Sequence, residues 1–444
     1  MGGCITCQRC GIDKRNGCGV GNLGGLRGVV DRNVEDGEYD GVTARGDYDA
    51  RVRLHGSSAF TSMYSKQGRK GINQDAMTVW ENFTGQQGAY FCGVFDGHGP
   101  YGHKVSRFVR DTLPSKLSLS MKLSNLGVAP TENSNNNNNN NNNHHHHHHN
   151  NNNDLFINTP FFTKLKANFV KSYVEMDEEL EGETKIDTQC SGTTAVTVLK
   201  QGEHLIIGNL GDSRAIICTR DDNTGQLVPE QLTIDLKPNL PSEFERIKNC
   251  NGRVIAMEEE PNVYRLWMPD DNGPGLAMAR AFGDFCLKTY GLTSVPELYY
   301  RRLTDNDEFI VLATDGIWDV LSNNEVIKVV CSAKKRSSAA KVLVERAVRA
   351  WKYRYPCAKI DDCAAICLFL KRQQQPGQGG TLSKSTSEST DVSLNYSAKT
   401  DDGLDTVVNC RVKEDGEDSS ADRDQSPAIN ARRRRPNPIM HNIH

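Results

Sequence analysis

The sequence predicts a mixed α+β domain of layered antiparallel sheets with helices outside, over about residues 55–372. Three observations predict it. Strand-like apolar runs outnumber helical patterns along this stretch. Several runs are joined by tight turns rich in Gly, Asp and Asn, which favours antiparallel neighbours. The helical patterns that do occur carry a single apolar stripe, as helices packed on the outside of a sheet should.

In chain order, the first 54 residues are rich in Gly, Arg and Asp and read as a flexible arm. Packing signals begin near Ala59 and Phe60. Ala89–Phe95 is strand-like and ends on Asp96-Gly97-His98-Gly99. A helical run covers Val105–Leu117. Residues 133–153 are an Asn/His-rich low-complexity loop, which buries too little apolar surface to offset ordering entropy. Its six histidines, 144–149, lack the fixed spacings of a structural metal site, so a solvent-exposed expansion is the better account.

Phe161–Leu180 places Phe161, Leu165 and Phe169 at four-residue spacing and predicts an amphipathic helix. Thr193–Leu199 and His204–Asn209 are β-like, and Arg214–Thr219 follows a Gly211-Asp212 turn. The spacing predicts that His204–Asn209 and Arg214–Thr219 pair as a hairpin. Glu243–Asn249 reads as a helix, and Val254–Asn272 as irregular chain. Glu308–Ala313 is a strand ending on Thr314-Asp315-Gly316. Asn323–Val330 and Ala339–Tyr353 are helical, and Ala364–Leu370 is a last buried strand. Residues 373–444 turn to Gln, Ser, Asp and Gly and read as a disordered tail.

Composition narrows the functional classes. The chain has 444 residues, 37% of them hydrophobic, and a net charge of −3, so nothing drives it as a whole toward nucleic acid. It contains no run of about 18 apolar residues that would predict a membrane-spanning helix. The 14 cysteines are mostly scattered singly, which predicts buried reduced thiols and a cytoplasmic or nuclear compartment.

The chemistry concentrates where strands end on acids: at Asp96, Asp212, Asp315 and the Asp361-Asp362 pair, with Asp75 in Gly71-Ile72-Asn73-Gln74-Asp75. A single Asp-Gly most often marks only a turn. A set of carboxylates gathered at one point would repel, and divalent cations remove that conflict. Hard oxygen ligands favour Mg²⁺ or Mn²⁺ over Zn²⁺. Two such ions a few Å apart can lower the pKa of a water held between them and aim it at phosphorus. His98 lies one residue beyond Gly97, well placed to protonate a leaving alkoxide.

Phe95-Asp96-Gly97-His98-Gly99, Gly192-Thr193-Thr194-Ala195, Asn209-Leu210-Gly211-Asp212-Ser213-Arg214, Arg280-Ala281-Phe282-Gly283-Asp284, Ala313-Thr314-Asp315-Gly316-Ile317-Trp318-Asp319 and Asp361-Asp362 occur in this order. Together they resemble the successive motifs of the type 2C protein phosphatases over about residues 57–371, with plant members the most similar. The resemblance implies a four-layer αββα sandwich of two antiparallel sheets flanked by helices. It implies serine/threonine phosphatase activity on phosphoproteins at a centre of two Mg²⁺ or Mn²⁺ ions between the sheets. Asp96 would bridge both ions, and Gly97 would offer its carbonyl to one. Asp315 and Asp361 would bind the other, with Asp362 the alternative to Asp361. Asp75 would act mainly through water. Asp212 and Asp319 match a weaker third metal site, and His98 matches the general acid. Pro238–Asn272 matches a variable flap beside the cleft.

Two positions depart from the animal pattern. Gln74 stands where an acid is common. Lys70, beside Arg69, stands where a phosphate-binding arginine is expected, and keeps the charge without the bidentate fork. These departures are the sequence support for an alternative: a catalytically weak pseudophosphatase that binds phosphoproteins or regulates kinases. No Cys-based phosphate loop or kinase Asp-Phe-Gly order occurs.

At the ends, Met1-Gly2-Gly3-Cys4 fits N-myristoylation at Gly2, with Cys4, Cys7 and Cys10 as palmitoylation candidates. Two lipid signals would anchor the chain to a membrane, and the plasma membrane is the expected one. Zinc on the Cys4–Cys18 cluster and an unmodified arm are the competing readings. Arg432–Arg435 fits nuclear import, acidic lipid or a solvated charge run. A monomer is expected.

Overall fold

Strand period decides the layers. In the Asp75–Glu81 strand every residue is buried. Ala76 and Trp80 join one hydrophobic cluster, whereas Met77 and Val79 join another. The Tyr90–His98 strand divides likewise, Phe91 and Phe95 on one side and Cys92 and Val94 on the other. Successive side chains leave a strand on opposite faces, so a strand apolar on both faces must lie between two cores. Asp307–Ala313 does the same for a second sheet. Ile310 and Leu312 share the Met77 cluster, while Phe309 and Val311 face a third.

In this computed structural model the described residues are 44–124, 159–258, 260–270, 273 and 275–371. Nine strands form the first sheet. Its main path runs Ala44–Arg45, Arg51–Arg53, Asp75–Glu81, Tyr90–His98, Ala195–Gln201, His204–Leu210 and Glu297–Arg302. The second sheet has six strands, in the order Leu227–Gln231, Arg214–Arg220, Asp307–Ala313, Cys363–Phe369, Thr61–Lys66 and Gly56–Ser57. Neighbours pair antiparallel in both. The Gly102–Leu123 and Pro160–Glu181 helices cover the outer face of the first sheet, through Val105, Leu113, Phe169 and Tyr173. The Asn323–Ser332 and Ala339–Arg354 helices cover the second, through Val326, Leu343 and Trp351. The result is the expected αββα sandwich. Local signals set the helix starts: the Thr159 hydroxyl accepts from the Phe162 N–H ahead of Pro160, and Ser322 and Glu325 form a capping box.

Three expectations are corrected. His204–Leu210 and Arg214–Arg220 do not form a hairpin. The first pairs within the first sheet and the second pairs with Asp307–Ala313 in the other, so the Gly211-Asp212 turn carries the chain between sheets. Gly211 adopts φ 98°, and its carbonyl accepts from the Leu236 N–H at 2.9 Å. A turn signal fixes a reversal, not the partner that the returning strand chooses. Residues 254–272 are not irregular throughout: Arg253–Met257 and Glu260–Trp267 make a two-stranded ribbon. Pro261 and the polar residues masked its alternation, and an isolated ribbon tolerates Pro. Among the described residues no cysteine is in a disulfide, but Cys331 and Cys357 are exposed rather than buried.

No described helix is long and apolar enough to cross a membrane. The arm with Gly2 and Cys4, the Asn/His loop and the tail with Arg432–Arg435 lie outside the described residues, apart from Ala44–Leu54 of the arm.

Candidate metal centre

Four acids meet where the two sheets open at one end. Asp75 begins its strand directly opposite Asp96 in the antiparallel register. Like charges facing each other across a strand pair are unfavourable, so this placement needs a reason beyond folding. Asp315 follows Asp307–Ala313 on the second sheet, and Asp361 lies two residues before Cys363–Phe369. These strands pair, with Ala313 opposite Ala365. Thr314 ties the sheets together: its hydroxyl donates to Asp75 Oδ2 at 3.0 Å and accepts from the Ala364 N–H at 3.0 Å.

The electrostatics follow from this crowding. Burial pushes the Asp75 carboxyl well above the usual carboxylate range, aided by the charges of Asp362 and Asp361. Burial does the same to Asp96, with Asp315, Asp75 and Asp361 adding to it. Asp315 is raised by burial and then by Asp361, Asp319 and Asp212. Asp319 is raised, chiefly by burial, with Lys237 opposing. Two buried oxygens, Asp75 Oδ1 and Asp212 Oδ1, have no hydrogen-bond partner among the described residues. Oxygen-rich, mutually repelling and under-satisfied carboxylates are the donor set a hard divalent cation relieves.

Two ammonium groups compete for this cluster. Lys70 pairs with Asp361. Burial pulls its pKa down, but Asp361, Asp315 and Asp96 hold it above the ordinary lysine value. Lys237 reaches Asp212 Oδ2 at 2.9 Å, and the Asp212 carboxylate raises the Lys237 ammonium well above its ordinary pKa. Among the described residues, no three Asp, Glu, His or Cys side chains already surround one point as a ready-made cage. The carboxylates are neighbours whose outer members, Asp361 and Asp212, lean on lysines.

Asp362 has a different task. Its Oδ1 accepts from the Gly68 N–H at 2.7 Å and its Oδ2 from the Gln74 N–H at 2.8 Å. It thereby fixes the loop carrying Lys70. The Gln74 carbonyl accepts from the Gly97 N–H at 3.2 Å and from the Ser106 hydroxyl at 2.6 Å. A Cβ on Gly97 would sit 2.4 Å from the Gly102 carbonyl oxygen, so only glycine lets the strand end approach the start of the helix this closely.

His98 ends its strand with Nε2 2.5 Å from Asp284 Oδ2. Burial lowers its pKa, but Asp284 more than offsets this and the imidazole lies above its ordinary value. Nδ1 is buried, and the Asp96 backbone also helps to hold the ring's proton. The Pro238–Asn272 stretch, matched to a flap by resemblance, follows directly on Lys237. Its Pro241–Asn249 helix is anchored by Glu243, whose two oxygens accept from Arg280 at 2.9 and 2.6 Å.

Every acid named from the sequence is therefore at or beside one strand-end cluster. Sequence reasoning gave no role to Thr314, Lys237 or Asp284. Thr314 and Asp284 lay inside quoted motifs, but nothing in one dimension shows that they face Asp75 and His98.

Comparison with known proteins agrees with this architecture. The family model described as Protein phosphatase 2C matches residues 61–351. Probable protein phosphatase 2C 73 of Oryza sativa is 55% identical over 314 residues, covering 71% of this chain and 73% of that protein. Probable protein phosphatase 2C 65 of Arabidopsis thaliana is 48% identical over 380 residues, covering 85% and 91%. Among solved structures, serine-threonine phosphatase 2C from Toxoplasma gondii superposes with a TM-score of 0.60 at 23% identity, covering 72% of this chain and 99% of that one, and so shares the fold. With the family model spanning well over half of its length, this chain belongs to the protein phosphatase 2C family.

Proposed function

We propose that the protein hydrolyses phosphoserine and phosphothreonine in protein substrates, at a centre of two Mg²⁺ or Mn²⁺ ions held by Asp75, Asp96, the Gly97 carbonyl, Asp315 and Asp361. The observation that carries this reading is the cluster itself. Asp75, Asp96 and Asp315 are pushed toward the protonated form by burial and by one another, and only cations would let them keep their charge. Asp361 is the better ligand than Asp362, because both oxygens of Asp362 already accept backbone N–H groups. Bound there, the ions would neutralise the carboxylates, polarise the phosphoryl oxygens and make a water acidic enough to attack near neutral pH.

The chain's own residues do the rest. Lys70, held over Asp361 by the Asp362-braced loop, presents an ammonium to the substrate phosphate. Lysine offers a point charge, so it draws the phosphate in without fixing its rotation as an arginine would. His98 supplies the proton that the departing serine or threonine oxygen needs. A third ion at Asp212 and Asp319 would have to displace Lys237.

Turnover of p-nitrophenyl phosphate and a phosphothreonine peptide with Mn²⁺, abolished by EDTA, tests the proposal. Peptide binding without turnover would leave the pseudophosphatase reading standing. Turnover of the aryl ester alone would point to another phosphoester.

A further inference from the structure

We propose that Asp284 is a positioning residue for the reaction: it fixes the His98 imidazole so that the ring can deliver its proton to the leaving oxygen. The inference rests on the reading of His98 as proton donor. Three unfavourable features meet at Asp284, and one contact accounts for them.

The first is conformational. Asp284 adopts φ 51° and ψ 47°, the left-handed region, which costs a residue other than Gly some strain although Asn and Asp tolerate it better than most. The second is burial: Asp284 is 4% exposed, and an ionised carboxylate away from water is unfavourable unless it is paired. The third is crowding. A Cβ on Gly192 would stand 2.1 Å from Asp284 Oδ2 and 2.7 Å from His98 Nε2, so the pair fits only against a bare backbone. The contact they share is the 2.5 Å approach of Oδ2 to His98 Nε2.

The surroundings brace this geometry. The Asp284 N–H donates to the Ser191 carbonyl at 3.1 Å. The Gly283 N–H donates to buried Asp177 Oδ1 at 2.9 Å, and Lys288 closes on the other Asp177 oxygen at 2.5 Å. Strain retained at a buried polar pair, braced by the Asp177–Lys288 ion pair, points to a functional constraint. Carboxylate pairing at Nε2 sets the rotation of the ring.

The test separates proton delivery from folding through the leaving group. A serine or threonine alkoxide needs a proton as it departs, whereas p-nitrophenolate is already a stable anion. Full-length Asp284→Asn, with Mn²⁺, should lose about 10²-fold in kcat on a phosphothreonine peptide with KM unchanged, and less than about 3-fold on p-nitrophenyl phosphate. Asp284→Ala should behave the same, and Asp284→Glu should recover part of the peptide rate. His98→Ala is measured alongside. If His98→Ala shows this split and Asp284→Asn does not, positioning by Asp284 is overturned while the proton-donor reading stands. If His98→Ala loses both substrates equally, the donor reading itself fails. Equal losses on both substrates in Asp284→Asn, with a lowered thermal midpoint, would make Asp284 merely structural and overturn the proposal.

Discussion

Removing one negative charge from the cluster should stabilise the metal-free protein while destroying its activity. Asp315 is the residue to change. Its carboxyl is raised above its ordinary value of 3.8 by burial, then by Asp361, Asp319 and Asp212. Between that value and the raised folded value, the native state holds a proton that the unfolded chain has released. Native stability therefore falls as pH rises through this window, by about 1.4 kcal/mol per pH unit for each such proton. Below the ordinary value both states are protonated and the effect vanishes. Asparagine does not titrate, and it also removes a charge that raises Asp96. Taking one pH unit as the effect, Asp315→Asn should gain about 1.4 kcal/mol at pH 8, a rise of roughly 2 °C in a domain of this size. Differential scanning fluorimetry in EDTA at pH 5.5 and 8 measures this. The wild type should fall more steeply with pH than the variant. Saturating Mn²⁺ should reverse the order, since at 100 times Kd a ligand adds about 2.7 kcal/mol to the state that binds it. A variant less stable than wild type in EDTA at pH 8 would refute the reasoning, because Asp315 would then be a structural carboxylate.

Asp362→Ala should cost about 2 kcal/mol in urea unfolding, because it strands the Gly68 and Gln74 N–H groups; a change below a few tenths would deny it the bracing role. Lys237→Gln should raise the Mn²⁺ stoichiometry seen by calorimetry from two to three, and an unchanged count would show that the lysine does not guard Asp212. The proposed lipid anchor predicts that Gly2→Ala moves the protein from the membrane to the soluble fraction, and an unaltered distribution in fractionated cells would remove it.

The sequence revealed the layers and the acids, but not how they face one another. Continuous apolar runs such as Phe91–Phe95 identify strands buried on both faces, so layered sheets were legible. Asp96 and Asp315 announced themselves because a strand that stops on Asp-Gly is a local event. Pairing is not local. His204–Leu210 and Arg214–Arg220 enter different sheets because Arg214–Arg220 finds a better neighbour in Asp307–Ala313, far along the chain. The same limit hid Asp284, whose partner His98 is 186 positions away, and Thr314, 239 positions from Asp75. It also left Asp361 and Asp362 interchangeable until the Gly68 and Gln74 N–H groups claimed one of them. The Arg253–Trp267 ribbon escaped for another reason: with Ile255 46% exposed and Tyr264 42% exposed, and burial confined to its Arg265–Trp267 end, it has no continuous buried face to impose alternation.

The two departures at Gln74 and Lys70 acquire a physical meaning from charge balance. The contacts by which residue 74 shapes the site are made by its backbone, to Asp362, Gly97 and Ser106, so they do not depend on which side chain stands there. The Gln74 amide packs against Gly102, where a Cβ would lie 2.1 Å from Oε1. An acid in its place would add another negative charge to a crowded cluster, at about 3 kcal/mol for each carboxylate about 5 Å away at an effective dielectric of 20. Asp75, Asp96, Asp212, Asp315, Asp319, Asp361 and Asp362 supply seven negative charges when ionised. Lys70 and Lys237 offset two of them, leaving five, one more than two divalent cations carry. An acid at position 74 would widen that excess, and the neutral Gln74 amide does not.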